Sequence, residues 1–164
     1  MKNFKMKRSL ISILIILAVI VSCEEDNENS IFKGITETND NGESIGSPDE
    51  NDWNFSETWN ETENSLFSEG YETVCDIDNS YHIIAYPNPC ENIFSISFYV
   101  AENKRVAYRI VKSDYEVIFS TDSASSTVAF NLNNLNVDNE IVRVYYKVFG
   151  ENCELKGHGD IKVE

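Results

Sequence analysis

The side chains best suited to chemistry in this chain of 164 residues are four cysteines and two histidines. They are Cys23, Cys75, Cys90, Cys153, His82 and His158. Zinc sites need cysteine and histidine clustered at short spacing, and a nucleophilic cysteine needs a base beside it. Neither pattern occurs in the sequence, so it predicts no metal site, no cofactor and no catalytic residue. The chain is predicted not to be an enzyme.

Two acidic segments offer oxygen ligands for calcium. They are "NDNGE", residues 39–43, and "DIDNS", residues 76–80. Both lack the full ligand spacing of a calcium-binding loop. We therefore interpret them as solvated turns.

The N-terminus has the composition of a secretory signal peptide. Residues 1–22 carry Lys2, Lys5, Lys7 and Arg8 without an acidic residue, and an apolar run follows from Leu10 to Val21. A membrane-spanning helix needs about 20 apolar residues, and this run is shorter. Residues 1–22 are therefore predicted to be a signal peptide and not a membrane span.

The end of this segment reads "IVSC", Ile20 to Cys23. It resembles the lipobox of bacterial lipoproteins, in which the cysteine receives a diacylglyceryl group and becomes the new N-terminus. The following "EEDNE" is similar to the export signal of surface lipoproteins of Bacteroidetes. The resemblance implies a lipid anchor at Cys23 on the outer membrane, facing the cell exterior. An ordinary signal peptide, or a solvated tether inside the periplasm, is the alternative.

Charge divides the remaining chain into two parts. Residues 24–80 contain 17 acidic residues and one basic residue, Lys33, whereas residues 81–164 contain 11 acidic and 8 basic residues. Residues 23–70 are also poor in aliphatic side chains, so they are predicted to form an acidic, flexible tether. Because phosphate binding needs basic clusters, this composition argues against a nucleic-acid partner.

Aromatic residues between Trp53 and Tyr71 are unusual for such a tether. Trp59, Leu66 and Phe67 are spaced as on one face of a short helix, with Ser56 as its predicted N-cap and Gly70 at its end. One interpretation is a contact with a ligand or carbohydrate. The other, which we favour, is that these rings pack against the domain that follows.

From Tyr81 onward the pattern is that of β-strands. In "IFSISFYV", residues 93–100, apolar and polar side chains alternate with the period of a half-buried strand. The same alternation recurs in four further segments separated by polar connectors, and "SYHIIAY" in front and "DIKV" behind each add one short strand. About seven short strands in succession predict an all-β antiparallel sandwich, within a domain at residues 71–164.

The first of these strands leads into "YPNP", Tyr86 to Pro89, and then into a polar turn and the strand quoted above. This arrangement resembles the C-terminal sorting domain of type IX secreted proteins. The resemblance implies an immunoglobulin-like or fibronectin-III-like sandwich. The chain ends in "DIKVE", where that family has a basic tail. We therefore carry over the fold and not the sorting function, which remains the alternative.

Strand counting also places the cysteines that remain after Cys23. Connectors alternate between the two ends of a sandwich, so Cys75 and Cys153 are expected at one end and Cys90 at the other. We therefore hypothesise a disulfide between Cys75 and Cys153, in keeping with an oxidising compartment.

Two further expectations concern the cell surface. "DSA", Asp122 to Ala124, matches the O-glycosylation acceptor pattern of Bacteroidetes, with Ser123 as the acceptor. The expected function is a non-enzymatic binding or structural accessory module. Its partners are expected to be the membrane, through the lipid anchor, and a glycan or another envelope protein.

Overall fold

The structure is a computed structural model, and it describes residue 32, residues 34–124 and residues 126–164. The predicted signal peptide and the predicted lipidation site, Cys23, lie outside the described residues. No helix among the described residues is long and apolar enough to cross a membrane.

Seven strands form two antiparallel sheets. The strands are β1 (His82–Tyr86), β2 (Ile93–Tyr99), β3 (Arg105–Val111), β4 (Val117–Thr121), β5 (Thr127–Asn131), β6 (Ile141–Phe149) and β7 (Glu154–Lys162). The smaller sheet has the order β1-β2-β5, and the larger has the order β4-β3-β6-β7. The predicted all-β antiparallel sandwich is therefore confirmed. Strand β7 is longer than the expected strand "DIKV" at the C-terminus.

Alternation along the strands builds the core between the sheets. Phe94, Ile96 and Phe98 of β2 are buried there, and they face the even-numbered residues of β3 and β6. Phe98 stacks on Tyr108 with ring centroids 5.1 Å apart. Because each of these side chains removes a large apolar area from water, burial contributes about 1.5–3 kcal/mol per residue.

Two short helices accompany the strands, one before β1 and one between β5 and β6. Helix α1 (Glu61–Ser65) begins at Asn60, whose side chain accepts a hydrogen bond from the backbone N–H of Glu63, while the Glu63 carboxylate accepts one from the N–H of Asn60. This capping box corrects the predicted cap at Ser56 and the predicted end at Gly70. Helix α2 (Leu132–Leu135) follows β5 and is capped by Asn131.

Residues 34–75, here called the strap, run along the edge of β7, and their segment 59–71 packs on the outer face of the larger sheet. The flexible tether predicted for residues 23–70 is therefore wrong for the part described. The physical reason is that a few large aromatic side chains bury enough apolar surface to order the segment, although its average composition is polar. Trp59 is only 6 % exposed and Phe67 only 8 %, and they pack with Tyr145 and Phe149 of β6. Phe32, just before the strap, joins this cluster and is 1 % exposed.

The outer face of the larger sheet also carries the cations that the acidic strap lacks. These are Arg105, Arg109, Arg143, Lys147 and Lys156. The Arg109 guanidinium lies 4.6 Å from the ring centroid of Phe67, and Arg105 pairs with Glu69 at 2.6 Å. Each cation–π contact contributes about 0.5–2 kcal/mol. The strap and the sheet therefore match in shape and in charge.

The strap also closes the free edge of β7. Backbone N–H groups of Trp53, Glu57 and Cys75 donate to carbonyl oxygens of β7 at 2.7, 3.2 and 3.1 Å. Unpaired strand edges favour pairing with other chains. The strap satisfies these groups within the molecule, so this edge is not open.

Two glycines of β7 leave room for the strap. A Cβ atom on Gly159 would lie 2.1–2.3 Å from three atoms of the Trp53 indole, and one on Gly157 would lie 1.8 Å from the carbonyl oxygen of Asn54. Trp53 is stacked against Tyr146, with ring centroids 6.2 Å apart. The indole therefore has no space to retreat toward the core.

We expect Gly159→Ala to lower the free energy of unfolding by about 1–3 kcal/mol, the range for an overpacked site. Urea denaturation measures this change. In a Trp53→Ala background, which removes the clash, the same substitution should cost clearly less. Equal costs in both backgrounds would show that Trp53 does not lie over Gly159.

Candidate functional site

A groove lies between two parts of the strap beside the first residues of β7. Its volume is about 280 Å³. It is lined by Phe55, Ser56, Glu57, Thr58, Trp59, Tyr71, Glu72, Val74, Glu154 and Lys156. Aromatic walls, hydroxyl groups and carboxylates together suit a small ligand with both apolar and polar faces.

The floor of the groove holds a buried ion pair. Glu154 and Lys147 are each only 3 % exposed at the side chain, and the Lys147 Nζ lies 3.2 Å from a carboxylate oxygen of Glu154. Lys156 contacts the other oxygen at 3.0 Å. Burial lowers the pKa of Lys147, and the hydrogen bond to Glu154 opposes that shift. The floor is thus a fixed set of paired charges.

A second polar feature adjoins the groove through Glu57. Asp52 of the strap and His158 and Asp160 of β7 each place one nitrogen or oxygen atom within 4.8 Å of the others. Glu57 pairs with the Nδ1 atom of His158 at 2.6 Å. We call Asp52, His158 and Asp160 the polar cluster.

Each carboxylate of the polar cluster is held in place. Asp52 accepts hydrogen bonds from the backbone N–H of Thr36 at 2.8 Å and of Asp160 at 2.7 Å. Arg143 donates from Nε and from Nη2 to the two oxygens of Asp160, both at 2.7 Å. Two-point pairing of this kind fixes the direction of a carboxylate.

Acidic groups outnumber bases around the polar cluster. Burial raises the pKa of Asp52 to about 6, because loss of water disfavours its charged form and the neighbouring charge of Asp160 adds to the effect. Burial also raises the pKa of Asp160, and the pairing with Arg143 opposes the rise.

The structure separates the cysteines as the strand count predicts. Cys75 and Cys153 are joined by a disulfide next to the start of β7. Cys90 is a buried free thiol at the opposite end of the sandwich, where its backbone N–H donates to the carbonyl oxygen of Lys162 at 2.9 Å.

We expect the Cys90 thiol to resist alkylation in the folded protein. Burial raises its pKa to about 11, so almost none of it is thiolate at neutral pH. Treatment with iodoacetamide followed by mass spectrometry should find Cys90 unmodified before denaturation and modified in concentrated urea. Rapid modification of the native protein would contradict its burial.

The remaining predicted residues lie in surface turns. Ser123 is exposed in the connection between β4 and β5. In the segment 76–80, the Asp78 carboxylate accepts hydrogen bonds from the N–H and the hydroxyl of Ser80. In the segment 39–43, the Asn39 side chain accepts hydrogen bonds from the N–H of Asn41 and of Glu43. These bonds stabilise turns, in line with the interpretation of both segments.

The sequence gives little warning of the polar cluster. Spacing along the chain predicts no metal site at either histidine, but His158 lies beside Asp52 and within 2.6 Å of Glu57. One signal was available in "ELKGHGDIK", where Glu154, Lys156, His158 and Asp160 alternate with apolar residues and glycine. Such alternation places four polar side chains on one face of a strand.

Comparison with protein-family models, with curated proteins and with solved structures finds no significant match to this chain. The fold and the site together define the class. It is an all-β sandwich whose N-terminal strap supplies most of the lining of a groove and part of a polar cluster.

Proposed function

We propose that the protein is a surface-anchored lipoprotein that acts as a non-enzymatic binding or structural accessory module. The observation that carries this proposal is the separation between the start of the described chain and the groove. Phe32 packs under Arg143 near the start of β6, with the guanidinium carbon 4.2 Å from its ring centroid. Glu154 and Lys156 of the groove lie at the other end of the same sheet.

The separation between Phe32 and the groove can be estimated from distances along the chain. Nine residues lead from Cys23 to Phe32, which an extended chain spans in at most about 30 Å. Arg143 is paired with Asp160, and six residues separate Asp160 from Glu154 along β7, which corresponds to about 20 Å. A lipid at Cys23 would therefore keep Phe32 within about 30 Å of the bilayer, and the groove lies about 20 Å from Phe32 along the sheet.

The rim of the groove is exposed and has both apolar and polar groups. Its exposed rim combines Val74, which is 70 % exposed, with the hydroxyl groups of Ser56 and Thr58. We propose a glycan or another envelope protein as the partner. The charge of the chain disfavours nucleic acid. Ser123, exposed on the connection between β4 and β5, remains our predicted O-glycosylation site.

Membrane fractionation of cells expressing the full chain tests the anchor. We expect the wild type in the outer-membrane fraction and accessible to external protease, and a Cys23→Ala variant to be released. Cys90→Ala serves as the control, because it removes a cysteine that carries no lipid in this proposal. Release of both the wild type and the Cys23→Ala variant would contradict the anchor and support the alternative, a type IX secretion substrate whose sandwich is the sorting signal.

Photo-crosslinking on intact cells tests the groove. A diazirine side chain at position 74 replaces an exposed residue of the groove, and one at position 99 replaces Tyr99, which is 60 % exposed on the other sheet. We expect an adduct from position 74 that disappears when Tyr71→Ala is added, and none from position 99. Equal labelling at both positions would contradict the groove as the binding site.

A further inference from the structure

We propose that Asp52, His158 and Asp160 bind one divalent transition-metal ion, with Zn²⁺ as the best match. The three residues place donor atoms within 4.8 Å of one another. They come from two segments that are 106 residues apart in the chain, and only the packing of the strap on β7 brings them together. A metal ion here would join the strap to the sheet.

The surroundings of each residue match those of metal ligands. A ligating histidine almost always donates its other N–H to a carboxylate, and ligating carboxylates accept further hydrogen bonds. One carboxylate oxygen of Glu57 lies 2.6 Å from the Nδ1 atom of His158, and that buried oxygen has no aligned hydrogen-bond donor among the described residues. Arg143 holds Asp160, and two backbone N–H groups hold Asp52.

Charge and ligand type select the kind of ion. Asp52, Asp160 and the neighbouring Glu57 together carry three carboxylates, and Arg143 offsets one of them, which leaves the two negative charges that a divalent cation balances. Zn²⁺ accepts nitrogen and oxygen ligands, and three protein ligands leave its fourth position open. Calcium and magnesium prefer oxygen ligands alone, so the imidazole disfavours both.

The metal would have a structural effect on the groove. Glu57 contacts His158 and also lines the groove, and its other oxygen accepts a hydrogen bond from the indole Nε1 of Trp59 at 3.0 Å. Fixing His158 therefore fixes one wall of the groove. This role does not depend on the lipid anchor.

Calorimetric titration of the full chain in detergent with Zn²⁺ tests the site. We expect one ion per chain. A parallel Co²⁺ titration should give the visible absorption of a four-coordinate site. His158→Gln should lower the Zn²⁺ affinity by more than about 100-fold. Glu57→Gln, which removes only the positioning carboxylate, should lower it by about 10–100-fold.

His82→Gln is the matched control, because His82 is the other histidine and lies exposed on β1. It should leave the affinity unchanged. Circular dichroism and urea denaturation without metal check that each variant is folded, and a variant that fails this check is replaced by Asp52→Asn. The proposal is overturned if wild-type protein binds no Zn²⁺, or if folded His158→Gln and Asp52→Asn variants bind it as tightly as the wild type.

Discussion

Replacing Asn88 by alanine is expected to lower the free energy of unfolding by about 3–5 kcal/mol. Asn88 is 0 % exposed, and its amide nitrogen donates to the carbonyl oxygens of Thr36 at 3.0 Å and of Asp160 at 2.8 Å. Its amide oxygen accepts from the N–H of Lys162 at 2.9 Å. Alanine would leave three backbone groups without this partner, and the two buried carbonyl oxygens would each cost about 1–3 kcal/mol before relaxation.

The position of Asn88 explains its large expected contribution to the free energy of unfolding. Its backbone exchanges two hydrogen bonds with Thr38 of the strap, while its side chain bonds to β7. It therefore joins the smaller sheet, the strap and the larger sheet at one point. The motif "YPNP" has a structural role here that is independent of any sorting signal.

Urea denaturation measures the change in the free energy of unfolding. Two further variants serve as a second test and as a control. Asn88→Asp keeps the size of the side chain but removes both N–H donors, so we expect a loss of similar magnitude. Asn92→Ala, in the exposed turn before β2, is the control and should change stability by no more than about 0.5 kcal/mol. A loss below about 1 kcal/mol for Asn88→Ala would contradict the bonds described.

Removing the disulfide is expected to cost about 4 kcal/mol. The bond between Cys75 and Cys153 closes a loop with a sequence separation of 78. In the chain-entropy model, a loop of this length stabilises the folded state by roughly 4 kcal/mol, because it restricts the unfolded chain. The loss should appear as a lower urea midpoint for the Cys75→Ser/Cys153→Ser variant.

Reduction provides the matched control for this prediction. Wild-type protein treated with dithiothreitol should unfold at the same urea concentration as the double variant, and the double variant itself should not respond to the reductant. If the reductant leaves the wild type unchanged, the disulfide is absent in solution or does not stabilise the fold.

The sandwich was predictable because strand alternation is a local signal. The alternation of Phe94, Ile96 and Phe98 with polar residues predicts the inner face of β2 without any information from distant residues. The end of the sandwich at which each cysteine lies also follows from strand order alone. What such counting leaves open is the pairing of strands within sheets, since it depends on contacts between residues far apart.

The strap was missed because its stability comes from the sheet below it. Average composition marks residues 23–70 as too polar to fold, and alone they bury little. Trp59 and Phe67 pack against aromatic residues of β6, and Glu69 forms an ion pair with an arginine of β3. The favoured interpretation, that the aromatic residues pack on the following domain, was nearer to the structure than the tether prediction.

The polar cluster was missed for the same reason. Asp52 lies in a segment that was assigned to the tether, so nothing linked it to His158. The two residues come side by side because the N–H of Trp53 donates to the carbonyl oxygen of His158 and the N–H of Asp160 donates to the Asp52 carboxylate. Sequence patterns show which face of a strand is polar, but not which segment covers that face.

Hydrogen exchange of the strap amides tests most directly whether residues 34–75 belong to the folded domain. In the full chain, the amides of Trp53, Glu57 and Cys75 donate to β7, and we expect them to be protected to within a few-fold of the amides of β6. If they exchange at the rate of an unstructured peptide while β6 remains protected, the strap is a tether after all, and neither the groove nor the polar cluster exists as described.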